Sequence, residues 1–108
     1  MDKINEYMKK HQVFLPTSFG EEYPEPVKRI TCNDGFSISV QANRNVYCEP
    51  RKDRAWPYSE VELGFPNESD ELIMRYAEDP DFYTETVYPF VPIDVVIELI
   101  DKHGGINE

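Results

Sequence analysis

The feature that most constrains the fold is a strict alternation of apolar and polar residues after the tripeptide Asn33-Asp34-Gly35. Phe36, Ile38, Val40 and Ala42 alternate there with Ser37, Ser39 and Gln41. The tripeptide tolerates the positive φ angles of a tight turn, and alternate side chains of a strand point to opposite faces. A slip of one residue in the pairing would expose every apolar side chain. The pattern predicts a β-hairpin over VKRITCNDGFSISVQA with one buried face.

Two later segments also have the character of strands. Residues 58–65 alternate, with Ser59, Glu60 and Glu62 between apolar neighbours, and TETVYPFV is rich in β-branched and aromatic residues. Pro89 cannot donate to a ladder, so the second of these strands is expected at an edge of the sheet. Earlier in the chain, residues 16–26 contain three prolines and a glycine, which predicts a partly extended loop.

Helix signals are clearest at the two ends of the chain. Asp2 is placed to cap a first helix, and the apolar stripe of that helix consists of Ile4, Tyr7, Met8 and His11. Near the other end, Pro92 suits the first helical position and Gly104 suits the position after the last turn. Between them, Asn67 or Ser69 caps a predicted short helix over residues 71–76.

Length and element order together predict the fold class. The 108 residues, 40% of them hydrophobic, suit a single domain. The order helix, hairpin, strand, short helix, strand, helix predicts an α+β domain over residues 1–108: a small antiparallel sheet of three to four strands packed by an N-terminal and a C-terminal helix. No apolar run approaches the roughly 20 residues of a membrane span, and residues 1–11 lack the apolar stretch of a signal peptide, so we expect a cytoplasmic protein.

Charge is both strongly negative and unevenly distributed. The chain has 21 acids and 11 bases, a net charge of −10, which argues against binding DNA, RNA or an anionic membrane through phosphate groups. Residues 1–56 contain nine bases and eight acids, whereas residues 57–108 contain two bases and 13 acids. Within residues 60–85 nine acids accompany Arg75 alone, a net charge of −8. If neighbouring elements hold these acids together, they form a field that attracts basic surfaces.

We expect the partner-binding residues within this acidic window. Tyrosine contributes contact area at little conformational cost, so tyrosines near the acids are candidate anchors in a protein interface. The other reading is that the acids serve solubility and the rings belong to the core. The predicted partner-binding residues are Glu68, Asp70, Glu71, Tyr76, Glu78, Asp79, Asp81 and Tyr83.

A second hypothesis concerns the only basic cluster, which lies in the proline-bounded segment 43–57. Its members are Arg44, Arg51, Lys52 and Arg54, followed by Trp56. Arginines with a stacking indole suit an anionic small molecule or a nucleotide signal. The alternative is a solvated loop whose cations balance Glu49 and Asp53.

Signals for catalysis or metal binding are weak. Carboxylate pairs such as Glu60 and Glu62, or Asp79 and Asp81, arise by chance among 21 acids. Cys32 and Cys48 have no histidine pair to complete a zinc site. They can form a disulfide if their two segments lie side by side, but in a reducing cytoplasm we expect them to be buried apolar side chains. The two histidines, at helix ends, are expected to cap terminal carbonyls. We therefore expect no catalytic residues, no metal and no cofactor; a small enzyme of unknown type is the third hypothesis.

Four segments of the chain resemble a known group of proteins. ITCNDGFSISVQA, YCEPR, VELGFP and VYPFVPIDVVIELIDKHGGI are similar to segments of small acidic proteins encoded by phages and prophages, a group that includes anti-CRISPR and other anti-defence proteins. The group has no common fold, so the resemblance transfers no residue roles. It implies a compact, acidic, non-catalytic inhibitor that occupies the basic groove of a host nucleic-acid-binding protein or nuclease complex and acts there as a DNA mimic.

Overall fold

Two helices and two antiparallel sheets form the fold, in a computed structural model that describes all residues from 1 to 108. The prediction of an α+β fold with an N-terminal and a C-terminal helix on a small antiparallel sheet is confirmed. The elements are α1 (Lys3–His11), β1 (Phe14–Pro16), β2 (Glu22–Pro24), β3 (Ile30–Thr31), β4 (Ser37–Gln41), β5 (Glu60–Gly64), a 3-10 helix (Met74–Tyr76), β6 (Val87–Pro92) and α2 (Ile93–Lys102).

Local signals in the sequence explain α1 and the central hairpin. The Asp2 carboxylate accepts hydrogen bonds from the backbone N–H groups of Ile4 and Asn5, at 3.0 and 2.8 Å, and so caps α1 as predicted. The hairpin forms around residues 33–35, where β3 pairs with β4 through Ile30 opposite Ile38. Ile38 and Val40 are fully buried, each worth about 2 kcal/mol before conformational entropy is subtracted.

The main sheet has the strand order β3-β4-β5-β6 and is antiparallel throughout. Gly64 pairs with Ser39 on one side and with Val87 on the other, so the start of β4, the end of β5 and the start of β6 lie at one end of the sheet. At the opposite end, Glu60 pairs with Pro92. The two ends of the sheet therefore receive different loops of the chain.

One face of this sheet is covered by the helices. The 20 buried hydrophobic residues form a single cluster that includes Ile4 and Met8 of α1 and Leu99 and Ile100 of α2. Cys32 and Cys48 are buried in the same cluster and unpaired, as expected, and burial raises the pKa of both thiols. None of the helices is sufficiently long and apolar to cross a membrane.

Two sequence-based expectations about local structure need correction. The proline-rich segment 16–26 is partly extended, as predicted, but it also contributes to a second hairpin, in which β1 pairs with β2 and Pro16 and Pro24 occupy strand ends. The helix predicted over residues 71–76 is reduced to turns and the three-residue 3-10 helix. The Asp70 carboxylate accepts from the N–H of Leu72, and the bonds Ile73 N–H to Asp70 C=O and Tyr76 N–H to Ile73 C=O have the tighter 3-10 spacing.

Strand β6 lies at the edge of the sheet, as Pro89 predicts, and contains a β-bulge. Val61 pairs with Val91 and Leu63 pairs with Tyr88, so one residue of β5 faces two residues of β6, Pro89 and Phe90. Phe90 has φ of +52°, a conformation that costs a bulky side chain backbone strain. The bulge turns the Phe90 side chain towards solvent at the sheet edge.

Candidate protein-binding site at the acidic end of the sheet

The sheet topology brings most of the acidic window to one end of the molecule. The chain leaves β5 at Gly64 and returns to β6 at Val87, and these two residues are paired neighbours. Six exposed carboxylates lie on this excursion and make no salt bridge within the chain. They are Glu68, Glu71, Glu78, Asp79, Asp81 and Glu85. We call this group the acidic end.

Asn67 fixes the first part of the excursion against the central hairpin. Its side-chain carbonyl accepts from the Ser37 N–H at 2.9 Å, and its side-chain amide donates to the Gly35 carbonyl at 2.9 Å. The Asn67 N–H also donates to the Ser37 carbonyl. Asn67 thus extends the backbone pairing of the hairpin instead of capping a helix, and holds the neighbouring Glu68 beside the turn.

Asp70 is not part of the exposed surface, so its prediction as a partner-binding residue is wrong. Its side chain is only 3% exposed and contacts Lys102 and His103 at the C-terminus of α2. The Asp70 carboxylate lies 2.8 Å from Nε2 of His103 and 3.1 Å from Nζ of Lys102. A buried carboxylate that already has these partners positions its loop and cannot serve as a phosphate mimic.

His103 joins three segments of the chain at this end. Its Nδ1 lies 2.6 Å from the Asp34 carboxylate and its Nε2 contacts Asp70, so the imidazole bridges the hairpin turn and the acidic loop. The ring stacks on Phe36 at a centroid distance of 4.0 Å with an interplanar angle of 10°. The expectation that the His103 side chain caps a backbone carbonyl is therefore wrong: two carboxylates accept from it instead.

The pKa values of this cluster favour its charged form. Burial alone lowers the pKa of His103, but the hydrogen bonds to Asp34 and Asp70 outweigh burial and raise it. Burial likewise opposes the charge on Asp70, yet donation from the Leu72 N–H, His103 and Lys102 lowers its pKa. The pKa of Asp34 is lowered by the Phe36 N–H and by His103. An imidazolium that donates to both carboxylates is consistent with all three shifts.

The second part of the excursion, residues 78–86, is an ordered loop. The Glu78 N–H donates to the Val87 carbonyl and the Asp79 N–H to the Thr86 hydroxyl, both at 3.0 Å, which closes the loop at its base. Inside the loop, the Asp79 carboxylate accepts from the Asp81 N–H. Because the backbone is held in this way, the loop presents its carboxylates with little freedom left to lose on binding.

The rings available at the acidic end differ from those predicted. Tyr76 and Tyr83 are half-buried: Tyr76 packs against the core, and the carbonyl of Tyr83 accepts from the buried Tyr88 hydroxyl. Phe65 and Phe82, at 49% and 57% exposed, are the rings that solvent reaches. The charge pattern does not single out Phe65; its position after Gly64 at the end of a predicted strand is the signal available in the sequence. Exposed phenylalanines beside carboxylates resemble an apolar interface centre with a polar rim.

The basic cluster of the second hypothesis lies at the opposite end of the sheet, in the loop that joins β4 to β5. Arg44 binds Asp53 through its backbone N–H at 2.9 Å and its guanidinium at 2.6 Å. Arg54 forms an ion pair with Glu22 of the second hairpin. Trp56 is half-buried and meets Tyr58 edge-on. The main acceptors for these two arginines are carboxylates of the chain itself.

The acidic end carries the negative charge that attracts a basic surface. No group of three or more histidine, cysteine, aspartate or glutamate side chains is arranged to hold a metal ion. Glu62, a member of one candidate carboxylate pair, accepts from the Tyr47 N–H and is engaged in loop positioning. Comparison of the chain with protein-family models, with curated proteins and with solved structures finds no match.

Proposed function

We propose that this protein is a non-catalytic binding module whose acidic end docks into a basic groove built for nucleic acid. The observation that carries the proposal is that six exposed carboxylates, none of them in a salt bridge, lie on the excursion that leaves the sheet at Gly64 and returns beside it at Val87, with Arg75 as its single basic residue. Grooves that bind DNA contain arrays of lysine and arginine that neutralise phosphates. Carboxylates on an ordered surface meet the same cations without the ordering cost of a flexible tail.

The class of partner follows from the resemblance to small acidic phage proteins. A host nuclease complex or another nucleic-acid-binding defence protein offers such a groove, and a protein that occupies it acts as an anti-CRISPR-like inhibitor by DNA mimicry. Exposed Phe65 and Phe82 support this proposal because they supply apolar contact area that carboxylates alone lack. Such an inhibitor acts by binding alone and requires no substrate turnover, no metal and no cofactor. We place its action in the cytoplasm of the bacterial host.

The test is capture of bacterial proteins on immobilised wild-type protein, followed by elution with duplex DNA. The comparison variant reverses three acids of the loop 78–86, Glu78→Lys, Asp81→Lys and Glu85→Lys. The matched control, Glu6→Lys, Asp94→Lys and Glu98→Lys, changes net charge equally at three exposed acids without salt bridges outside the acidic end. All six positions are exposed, so each variant is expected to fold.

We expect nucleic-acid-binding proteins to be retained by the wild type and by the control, to be lost from the comparison variant, and to be displaced by duplex DNA. Retention by both triple variants would contradict the proposed role of the acidic end. Retained proteins that duplex DNA fails to displace would contradict mimicry.

The anionic-ligand hypothesis remains a second candidate because Arg51 and Lys52 have no carboxylate partner within the chain. A thermal-shift screen with nucleotides and cyclic dinucleotides tests it. Stabilisation that disappears with Arg51→Ala would favour this function over mimicry.

A further inference from the structure

Tyr47, from the β4–β5 loop, and Phe90 of β6 form a second exposed feature, which reaches Glu78 of the acidic end. The two rings lie 5.7 Å apart between centroids, tilted by 48°, and are 45% and 44% exposed. With Pro89 as a further wall and Glu78 at the rim, they line an open cleft of about 300 Å³. We call this the aromatic cleft.

Hydrogen bonds fix both rings in place. The Phe90 N–H donates to the Tyr47 carbonyl at 3.1 Å, and the Tyr47 N–H donates to the Glu62 carboxylate at 3.0 Å. The bulge in β6 holds Phe90 at positive φ. Two aromatic side chains are thus kept in solvent by an ordered backbone that carries local strain, a combination that recurs at binding sites.

The chemistry of the cleft selects a cation. The negative faces of aromatic rings attract cations, and the Glu78 carboxylate at the rim has no cation of its own within the chain. Tyr47 already makes such a contact with Arg51, whose guanidinium carbon lies 5.0 Å from the ring centroid. Arg51 is not among the residues that line the cleft, and the Tyr47 side chain is 45% exposed.

We propose that the aromatic cleft binds an arginine side chain of the basic partner, with the guanidinium packed against the ring surfaces that Tyr47 and Phe90 present to the cleft and paired with Glu78. A planar guanidinium both stacks on rings and donates to a carboxylate in a forked geometry, whereas a lysine ammonium offers only a point charge. The inference rests on the proposed function, because the partner is the same basic surface. Glu78 belongs to both the aromatic cleft and the acidic end. The cleft therefore adds one specific contact to the general electrostatic attraction of the exposed carboxylates.

The test is a nuclear magnetic resonance titration of the full chain with an acetylated, amidated tetra-arginine peptide. The corresponding lysine peptide keeps the positive charge but lacks the planar guanidinium. The corresponding citrulline peptide keeps a planar group of similar shape but lacks the charge. We expect the arginine peptide to shift the Tyr47, Glu78 and Phe90 signals, the lysine peptide to bind more weakly, and the citrulline peptide to leave these signals unchanged. Equal or tighter binding of either comparison peptide would overturn the assignment to arginine.

Variants locate the contact. Phe90→Gly removes the ring and relieves the positive-φ strain, so affinity is expected to fall about fivefold or more while the melting temperature is kept or raised. Tyr47→Ala gives the same affinity test if Phe90→Gly does not fold. Glu78→Gln should also weaken binding, whereas the matched controls Glu98→Gln and Phe19→Ala, at an exposed acid and an exposed ring outside the acidic end and the cleft, should remain within twofold.

The outcomes separate the two proposals. Equal weakening by Glu71→Gln and Glu78→Gln with full binding by Phe90→Gly would overturn the cleft and leave the acidic end in place. In the capture experiment, partners lost with Phe90→Gly but kept by the double variant Asp81→Lys and Glu85→Lys, which retains Glu78, would overturn the proposed function and keep the cleft.

Discussion

The two ends of the four-stranded sheet carry charge in different ways. At the end near Gln41 and Glu60, Arg44 is paired with Asp53 and Arg54 with Glu22, so much of the basic charge is balanced within the chain. At the end near Gly64 and Val87, six exposed carboxylates have no such partner. Balanced charge holds a loop in place, and unbalanced charge on an ordered loop is available to another molecule.

Arg75, on the excursion itself, is exposed and lies over the Tyr76 ring. The other cations near the acidic end are used internally: Lys102 and His103 hold buried Asp70, and the Arg29 guanidinium donates to the carbonyls of Ser37 and Phe65. These contacts attach the acidic loops to the hairpin and to α2 without neutralising the exposed carboxylates. The position of a charged residue in the fold, and not its residue type, therefore decides whether its charge is paired within the chain or left free to bind another molecule.

The largest expected effect is on stability, from removing the buried member of the acidic set. Asp70→Ala leaves His103 and Lys102 without their carboxylate and should lower the free energy of unfolding by about 3 kcal/mol. Urea denaturation at pH 6 measures this. Asp81→Ala, at an exposed acid of the same end, should change the free energy of unfolding by less than about 0.5 kcal/mol. Equal losses of stability in the two variants would contradict the view that buried Asp70 holds its loop in place while exposed Asp81 does not.

A smaller effect is expected from an exposed ring at the acidic end. Phe82→Ala should weaken binding to a captured partner about tenfold, because an apolar anchor in an interface is worth more than a rim charge. Its unfolding midpoint should stay near that of the wild type. Phe19→Ala, at the more exposed ring of the hairpin β1–β2, is the matched control and should bind normally. Loss of binding in both variants would point to general hydrophobic adhesion.

The pH dependence of stability should report the His103 cluster. The pKa of His103 is raised above its usual 6.5, so its contribution is complete below about pH 6.5 and is lost as pH rises through the higher folded value. The pKa values of Asp34 and Asp70 are lowered from 3.8, so their contribution is present above that pH and is lost as pH falls through the lower folded values. Maximal stability is expected between about pH 4 and 6.5.

Urea midpoints from pH 3 to 9 test this expectation. A His103→Gln variant should lose most of the decline above pH 6.5, because the imidazole whose pKa is raised in the folded state is removed. A decline of unchanged size in this variant would assign the pH dependence to other groups.

The smallest effect on stability is expected at the end of the sheet near Gln41 and Glu60, in the β4–β5 loop. Arg44→Ala removes a partly exposed ion pair with Asp53 and should lower the free energy of unfolding by about 0.5 kcal/mol. Binding of the captured partner should be unaffected. A loss of partner binding in this variant would show that the β4–β5 loop also takes part in recognition.

How far the sequence predicts this molecule depends on the distance over which each signal acts. The Asp2 cap, the turn at residues 33–35 and Gly104 after α2 are local signals, and each lies where its pattern indicates. The burial of Asp70 depends on Lys102 and His103, more than 30 positions away, so no local pattern reveals it. From the sequence alone, the Asp70 carboxylate is therefore expected to be as exposed as that of Glu71.

The candidate site was predicted in part for the same reason. Exposure of Glu68, Glu71, Glu78, Asp79 and Asp81 follows from their polar, proline-bounded surroundings. Which rings accompany them depends on the fold: Tyr88 is fully buried at an inward position of β6, whereas the bulge two residues later exposes Phe90. Alternation cannot predict a bulge, because one additional residue in a strand reverses every later assignment of faces.

The central claim, that the location of the acids and not the total charge recruits the partner, is tested most directly by the salt dependence of binding. Affinity for a captured partner is measured between 50 and 200 mM salt for the wild type, the loop 78–86 triple variant and its charge-matched control. We predict that the wild type and the control bind alike and weaken steeply with salt, whereas the loop variant binds poorly at every concentration. Equal loss in both triple variants would contradict the claim.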